Sequence, residues 1–191
     1  VHGQKTYNGV AILAKSPIED ITYGLPNFSE DQQARYIEAV VGKTRVASVY
    51  VPNGQTIESP SYLYKLTFLT KLQQHLKQLL SHGEICVIGG DYNIAPTDQD
   101  VHDPKEWEGE VLCSQKERKC FQALRHLGYE DAIRIKNPDG IGPFTWWDYR
   151  KGAFQKNKGL RIDHFLLSPL AVDCFENCQV DSTPRSTEKA S

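Results

Sequence analysis

The 191-residue chain contains no methionine, not even an initiator. It also has no apolar run approaching the ~20 residues that a membrane helix needs, so a membrane-spanning protein is not expected. The opening residues, Val1-His2-Gly3-Gln4-Lys5, lack the charged-then-apolar pattern of an export signal. The missing methionine points to a processed start or to a piece of a longer chain. Cysteine is sparse, odd in number and scattered (Cys86, Cys113, Cys120, Cys174, Cys178), which argues against the disulfide framework of a small secreted domain. Cys174 and Cys178 lie close together, but no second Cys or His pair accompanies them to complete a zinc site. Reduced thiols without an export signal give the cytoplasm as the expected compartment.

A large excess of one charge is missing too. The net charge is −2, so the molecule as a whole does not attract polyanions. The charges are segregated, however. Residues 116–161 carry 11 Lys/Arg against 5 Asp/Glu, whereas residues 1–115 carry 9 against 14. The basic stretch sets Arg150, Lys151, Lys156, Lys158 and Arg161 close to Trp146 and Trp147. Cations interleaved with aromatics are the footprint of a nucleic-acid surface, and a solvated lysine-rich loop is the plainer alternative. With 39% hydrophobic and 24% charged residues, the composition fits a folded soluble domain rather than a disordered chain.

Val10–Leu13 reads as a short strand ended by Ser16-Pro17. Arg35–Val41 and Arg45–Val51 read as a hairpin around Gly42-Lys43-Thr44, stopped by Pro52-Asn53-Gly54. A helix then starts with Ser59 as cap and Pro60 in its first turn and ends at Gly83. Leu66, Leu69, Leu72, Leu76, Leu79 and Leu80 fall on its inner face. Ile85–Ile88 is unbroken apolar, a strand covered on both faces. Residues 98–113 form an irregular acidic loop. Ser114 and Glu117 make a capping box before a helix with Cys120, Phe121, Leu124 and Leu127 facing inward and Gly128 after it. Phe144–Tyr149, Ile162–Leu167 and, more weakly, Cys174–Val180 read as further strands, and Ser182–Ser191 as a loop. Hairpins alternating with single helices give an α+β architecture, a two-layer β-sandwich with helices on its outer faces.

Four segments carry candidate chemistry. In Ile85–Asn93 a buried strand delivers Asp91 and Asn93 to its carboxyl end, behind two glycines that let a backbone or a phosphate come close. A carboxylate there can deprotonate a water or hold a cation, and an amide two residues on can bond a phosphoryl oxygen; an Asx-turn closing the strand is the alternative. In Gly159–Ser168, alternation sets Arg161, Asp163, Phe165 and Leu167 opposite Leu160, Ile162, His164 and Leu166. Asp163 in an apolar strand needs a partner, which is either Arg161 or a histidine brought from elsewhere. Tyr50 closes a strand beside the Pro52-Asn53-Gly54 turn, where its hydroxyl can reach a phosphate or simply sit half-buried. The adjacent Trp146 and Trp147 must face opposite sides of their strand, so one is free to stack on a sugar or base or to cap a second core.

Together YNGVAIL, VYVPNG, GGDYNI, SQKER, FTWWDYR and LRIDHFLLS resemble, in order and content, the endonuclease/exonuclease/phosphatase superfamily and within it the exonuclease III type. The resemblance spans essentially all 191 residues. It implies a DNase I-like, four-layer αββα fold formed by one domain. It implies that Asp91 takes the proton from, or positions, the attacking water and that Asn93 binds the scissile phosphate, both beside the metal. Tyr50 then bonds at the phosphate or near the leaving group, Asn53 lines the same site, and Asp163 orients a catalytic histidine. Trp146, Leu160 and Ile162 match the pocket for a flipped-out abasic sugar, and Tyr7 and Arg35 match DNA-backbone contacts. The implied cofactor is Mg²⁺, with Mn²⁺ as a substitute. The implied partner is double-stranded DNA with abasic sites or 3′ ends, met at the nucleoid; a monomer is the default expectation, since the sequence carries no dimerisation signal.

The family pattern opens with a strand bearing an Asn and then a Gln-Glu that holds the metal, and it closes with a Ser-Asp-His segment. None of these blocks occurs in the 191 residues. The expectation is therefore a domain lacking its first strands and its last segment, inactive when isolated although its parent is an enzyme. The alternatives are another branch of the superfamily (an inositol phosphate or lipid phosphatase, or an RNA-trimming nuclease) and a non-catalytic DNA-binding fragment.

Overall fold

A computed structural model describes residues 1–186. Two short strands, β1 (His2–Gly3) and β2 (Gly9–Val10), pair antiparallel. The strand expected over Val10–Leu13 stops at Val10: residues 11–13 have no ladder partner, and Leu13 is 89% exposed. A strand not expected from the sequence, β3 (Ile18–Tyr23), lies beside β4 (Tyr36–Val41), which forms the expected hairpin with β5 (Thr44–Tyr50). The helix α1 (Pro60–Ser81) begins as expected, with the Ser59 hydroxyl accepting the Tyr62 N–H. It leads to β6 (Ile85–Asp91), whose Cys86 and Ile88 are wholly buried. Both bonds of the expected capping box open α2 (Gln115–His126). After it come β7 (Glu130–Asp131), α3 (Ala132–Lys136), β8 (Trp146–Trp147), β9 (Gly159–Leu160), β10 (Asp163–Leu167) and α4 (Pro169–Asp173).

The expected Phe144–Tyr149 strand thus shrinks to two residues, because β9 offers only Gly159 and Leu160 to pair with it. The expected Cys174–Val180 strand is absent: the chain turns at α4, started by Pro169, and continues without a ladder partner. Of the loop expected over residues 182–191, Pro184–Ser186 is one tight helical turn, and 187–191 lie outside the described residues.

Six strands form one mixed sheet in the order β3-β4-β5-β6-β10-β7. Only β5 and β6 run parallel, which requires the long crossover that α1 supplies. One sheet face, carrying Tyr36, Ala47, Val49, Cys86, Ile88 and Leu166, packs on α1 and α2 through Phe68, Leu69, Leu72, Leu76, Phe121 and Leu124. The inner stripe of α1 differs from expectation in one respect. Leu66 and Leu80 are only partly buried, whereas Lys65 and His75 are buried among the apolar side chains. Mixed sheet plus flanking helices make the protein α+β, as the element order suggested.

Candidate active site

Three neighbouring strands bring the predicted carboxylates together. In the parallel β5–β6 register Tyr50 lies opposite Asp91, and in the antiparallel β6–β10 register Asp163 lies opposite the same Asp91. The loops leaving β5 and β6 carry Asn53 and Asn93 to that rim. The two glycines before Asp91 are required by packing. A Cβ on Gly90 (φ +146°) would stand 1.9 Å from the Val49 carbonyl oxygen, and one on Gly89 would stand 2.4 Å from the Phe165 ring. The close approach they allow is therefore to β5 and to a phenyl ring.

Asp91 is held from one side by a tight turn. The Asn93 N–H donates to its Oδ1 (2.7 Å) and Asn93 Nδ2 to its Oδ2 (3.1 Å), with Asn93 in the left-handed region at φ +50°. The Asx-turn weighed against the functional reading is thus present at this residue pair. Asn93 Nδ2 also donates to the Val51 carbonyl (2.9 Å), and Asn53 Nδ2 donates to Asn93 Oδ1 (3.1 Å), tying the two loops together. Burial, and after it the facing Asp163 charge, pushes the Asp91 carboxyl up to about 7. Desolvation also raises Asp163, although solvent still reaches its side chain. Two carboxylates face each other here without a cation between them.

Asp163 does not pair with Arg161. The strand breaks between β9 and β10, so Arg161 escapes the expected alternation and turns inward, 1% exposed. There it grips Asp131 through two nitrogens (3.0 and 2.7 Å) and Asp100 through Nε (2.7 Å). Arg134 joins the same Asp100 carboxylate. His164 faces away from Asp163, as expected, with Nε2 2.8 Å from the Ile94 carbonyl. A carbonyl only accepts, so Nε2 carries a proton, while Nδ1 stands 2.9 Å from Arg161 Nη1 and 3.7 Å from Asp131 Oδ2. The contact that Asp163 does make is with Thr145, whose Oγ1 accepts the backbone N–H groups of Ile162 and Asp163 (both 3.1 Å).

Tyr50 is half-buried under the Arg35 guanidinium, 4.8 Å above its ring centroid. Arg35 is itself fixed, donating to the Tyr50 carbonyl (3.2 Å) and to Gln33 Oε1 (2.7 Å), which also takes Asn8 Nδ2 (3.0 Å). Tyr7 stands 80% exposed in the turn between β1 and β2. Of the three residues expected to shape a sugar pocket, Leu160 and Ile162 are buried with Val101, Leu112 and Cys113, and only the partly exposed Trp146 reaches the surface. Trp107, from the acidic loop, stands edge-on to it at 6.4 Å. Together they border a cavity of about 390 Å³ whose rim carries Arg150, Lys151, Lys156 and Lys158 alongside Glu106 and Asp148, the last paired with Arg150. Trp147 faces the opposite way, into a small second core with Phe144, Ala153 and Phe154.

Sequence reasoning missed Lys65, Glu117, Thr145 and Trp107 as neighbours of the site. Lys65 did leave a signal: positions 62, 65, 68, 69, 72 and 76 share a helical face, and a lysine there has to find a buried partner. Among the described residues no group of three His, Cys, Asp or Glu side chains is placed to hold a metal ion.

The model of the "Endonuclease/Exonuclease/phosphatase family" matches residues 1–183. The chain belongs to that family. It is 37% identical over 187 residues to Exodeoxyribonuclease III of Haemophilus influenzae, covering 92% of this chain and 70% of that protein. It is 29% identical over 185 residues to the Exodeoxyribonuclease of Bacillus subtilis, covering 94% and 70%. Among solved structures, the Neisseria 3′ phosphatase NExo bound to product DNA hairpin superposes with a TM-score of 0.96 at 41% identity, covering 99% of this chain and 73% of that one. An AP endonuclease from Archaeoglobus fulgidus superposes at 0.86 with 33% identity, covering 92% and 68%. These likenesses give this family member the DNase I-like fold, in agreement with the class expected from the sequence.

Proposed function

We propose that the protein is a DNA repair nuclease of the exonuclease III type, dependent on a divalent metal ion. It would hydrolyse the phosphodiester 5′ to abasic sites and degrade duplex DNA from 3′ ends. The observation that carries this reading is the facing pair Asp91 and Asp163, bracketed by the Asn53 and Asn93 amides and set at the same end of the sheet as Tyr50. Asp91 stands at this rim with no guanidinium bonded to it, free to take the proton of the attacking water or to position that water. Asn53 and Asn93 orient the phosphate, Tyr50 stands near the leaving oxygen, and Asp163 positions a histidine brought from another segment. The cavity between Trp107, Trp146 and the four cations offers stacking and phosphate contacts for the strand.

The donors at this rim are carboxylate and amide oxygens, which suits Mg²⁺ or Mn²⁺ and not a thiolate- or imidazole-bound ion. Asp91 and Asn93 would hold it. When bound, such an ion neutralises phosphate charge and stabilises the leaving oxygen. With no third carboxylate grouped there among the described residues, the 191-residue chain alone is proposed to be inactive or nearly so.

A second reading, removal of a terminal 3′ phosphate, is favoured by the 41% identity to the Neisseria 3′ phosphatase. One experiment separates the readings. An end-labelled duplex with one abasic site, and a second ending in a 3′ phosphate, are incubated with Mg²⁺ or EDTA. Each is given this chain and a version extended at both ends with the family's first and last blocks. Mg²⁺-dependent incision of the abasic duplex by the extended protein is the expected result. An intact abasic duplex with release of inorganic phosphate from the other substrate would replace the first reading by the second. Inactivity of the extended protein on both would overturn the nuclease reading.

A further inference from the structure

Lys65 is a lysine with no exposed surface, on the face of α1 that packs into the core. An ammonium has three donors, and all three are placed: the Asn53 carbonyl (3.1 Å), the Asn93 carbonyl (2.6 Å) and the Glu117 carboxylate. Glu117 is equally buried and equally engaged. It accepts the N–H groups of Leu112 and Ser114 (both 3.1 Å) and the Ser114 hydroxyl, which also meets the Tyr62 hydroxyl at 2.6 Å. The pair therefore anchors the start of α2 to α1 and, through Lys65, both helices to two loops.

A buried ion pair is a poor way to gain stability, because apolar residues of similar volume often do as well or better. What an apolar pair cannot do is donate to two main-chain carbonyls at once. The two carbonyls in question belong to Asn53 and Asn93, whose side chains bond each other at the rim beside Asp91. Asn93 also sits at φ +50°, in the left-handed region that asparagine enters more readily than most residues. We propose that Lys65 is a positioning residue, whose ammonium clamps the loops after β5 and β6 so that the Asn53 and Asn93 amides stay in register with Asp91. The inference rests on the reading of those two amides as phosphate-binding groups. Lys65 itself touches neither substrate nor the reacting atoms.

The test uses Lys65→Met, the double variant Lys65→Met/Glu117→Leu, and Glu117→Gln. Three quantities are read: Tm, backbone amide exchange over residues 52–56 and 92–95, and kcat and KM of the extended nuclease on abasic duplex. The single Lys65→Met loses Tm and loosens both loops. The double variant regains part of the lost Tm through apolar packing, although the Leu112 and Ser114 N–H groups lose their acceptor. Both loops nevertheless exchange at least about tenfold faster than in the wild type, and kcat stays roughly tenfold down with KM little changed. A double variant with wild-type exchange and wild-type kcat would overturn the proposal, leaving the pair a staple between helices. Should that variant not fold, Glu117→Gln decides, because it removes the carboxylate but leaves Lys65 on both carbonyls. Tm then falls while loop exchange and kcat remain within about twofold of the wild type; loops that loosen in step with Tm would overturn it. If no form of the protein, wild type included, cuts DNA, the nuclease reading fails, and the exchange data still decide the clamp.

Discussion

Two pairs of aspartates lie close to the same strand, β10, and meet opposite fates. Asp100 and Asp131 are buried more deeply than Asp91 and Asp163, yet their carboxyls lie below the usual range. Burial alone would raise them, but Arg161 and then Arg134 on Asp100, and His164 and then Arg161 on Asp131, more than offset it. Asp91 and Asp163 have no guanidinium bonded to them, and both are raised. The difference is one of partners rather than of depth. Where the fold bonds a guanidinium to the carboxylate its pKa is lowered; where none is bonded it is raised, and that is the contrast on which the role proposed for Asp91 rests.

The sharpest break of this comparison is Asp91→Asn. Cleavage by the extended protein should drop by about 10⁴-fold, while the fold becomes more stable at neutral pH. The folded-state pKa of Asp91 is raised, so its contribution favours folding at low pH. That contribution is lost as pH rises from about 4, the unfolded value, through about 7. Urea melts at about pH 8 should show Asp91→Asn more stable by roughly 1–3 kcal/mol, and melts below about pH 4 should show no gain. Equal stability at both pH values would contradict the unneutralised-pair account.

Next in size, Arg161→Met leaves Asp100 and Asp131 buried with one cation fewer. It should cost about 3–5 kcal/mol in a denaturant melt at neutral pH. The depressed Asp131 contributes stability that is fully present above about pH 4 and lost as pH falls through its folded value, so the penalty should shrink in acid. Gly90→Ala then tests the junction of β5 and β6. Its Cβ would meet the Val49 carbonyl oxygen at 1.9 Å in a left-handed conformation, at an expected cost of about 2–4 kcal/mol, with loss of cleavage as the strands separate. The smallest effect belongs to Lys156→Ala or Lys158→Ala. Each should weaken duplex binding by about 1 kcal/mol or less and reduce the salt slope of the binding constant by about 1, read by fluorescence anisotropy across a salt series.

Parts of this arrangement could be read from the chain and parts could not. The β4–β5 hairpin, α1 with its Ser59 cap, β6 and the Ser114–Glu117 box were legible because a turn, a cap or an unbroken apolar run marks each within a few residues. The convergence of Tyr50, Asp91 and Asp163 was legible only as motifs, since the register that sets them side by side links residues far apart in sequence. Arg161 was misjudged because alternation was carried across the break between β9 and β10, where the chain leaves the ladder for two residues. Residues 11–13 and Cys174–Val180 look like strands by composition but have no strand beside them among the described residues, and pairing rather than propensity decides a strand. Lys65 and Glu117 stayed hidden for a related reason. Each had an ordinary local explanation, a helix residue and a cap, and their partnership spans 52 residues.

The most direct test of the central claim is a ¹³C NMR titration of the aspartate carboxyls with and without Mg²⁺. The account predicts that Asp91 titrates near 7 in the metal-free protein and shifts sharply downward when Mg²⁺ is added, with Asp163 following in the same direction. Asp100 and Asp131 should stay ionised and unmoved in both conditions. An Asp91 that titrates like an ordinary carboxylate and ignores Mg²⁺ would contradict it.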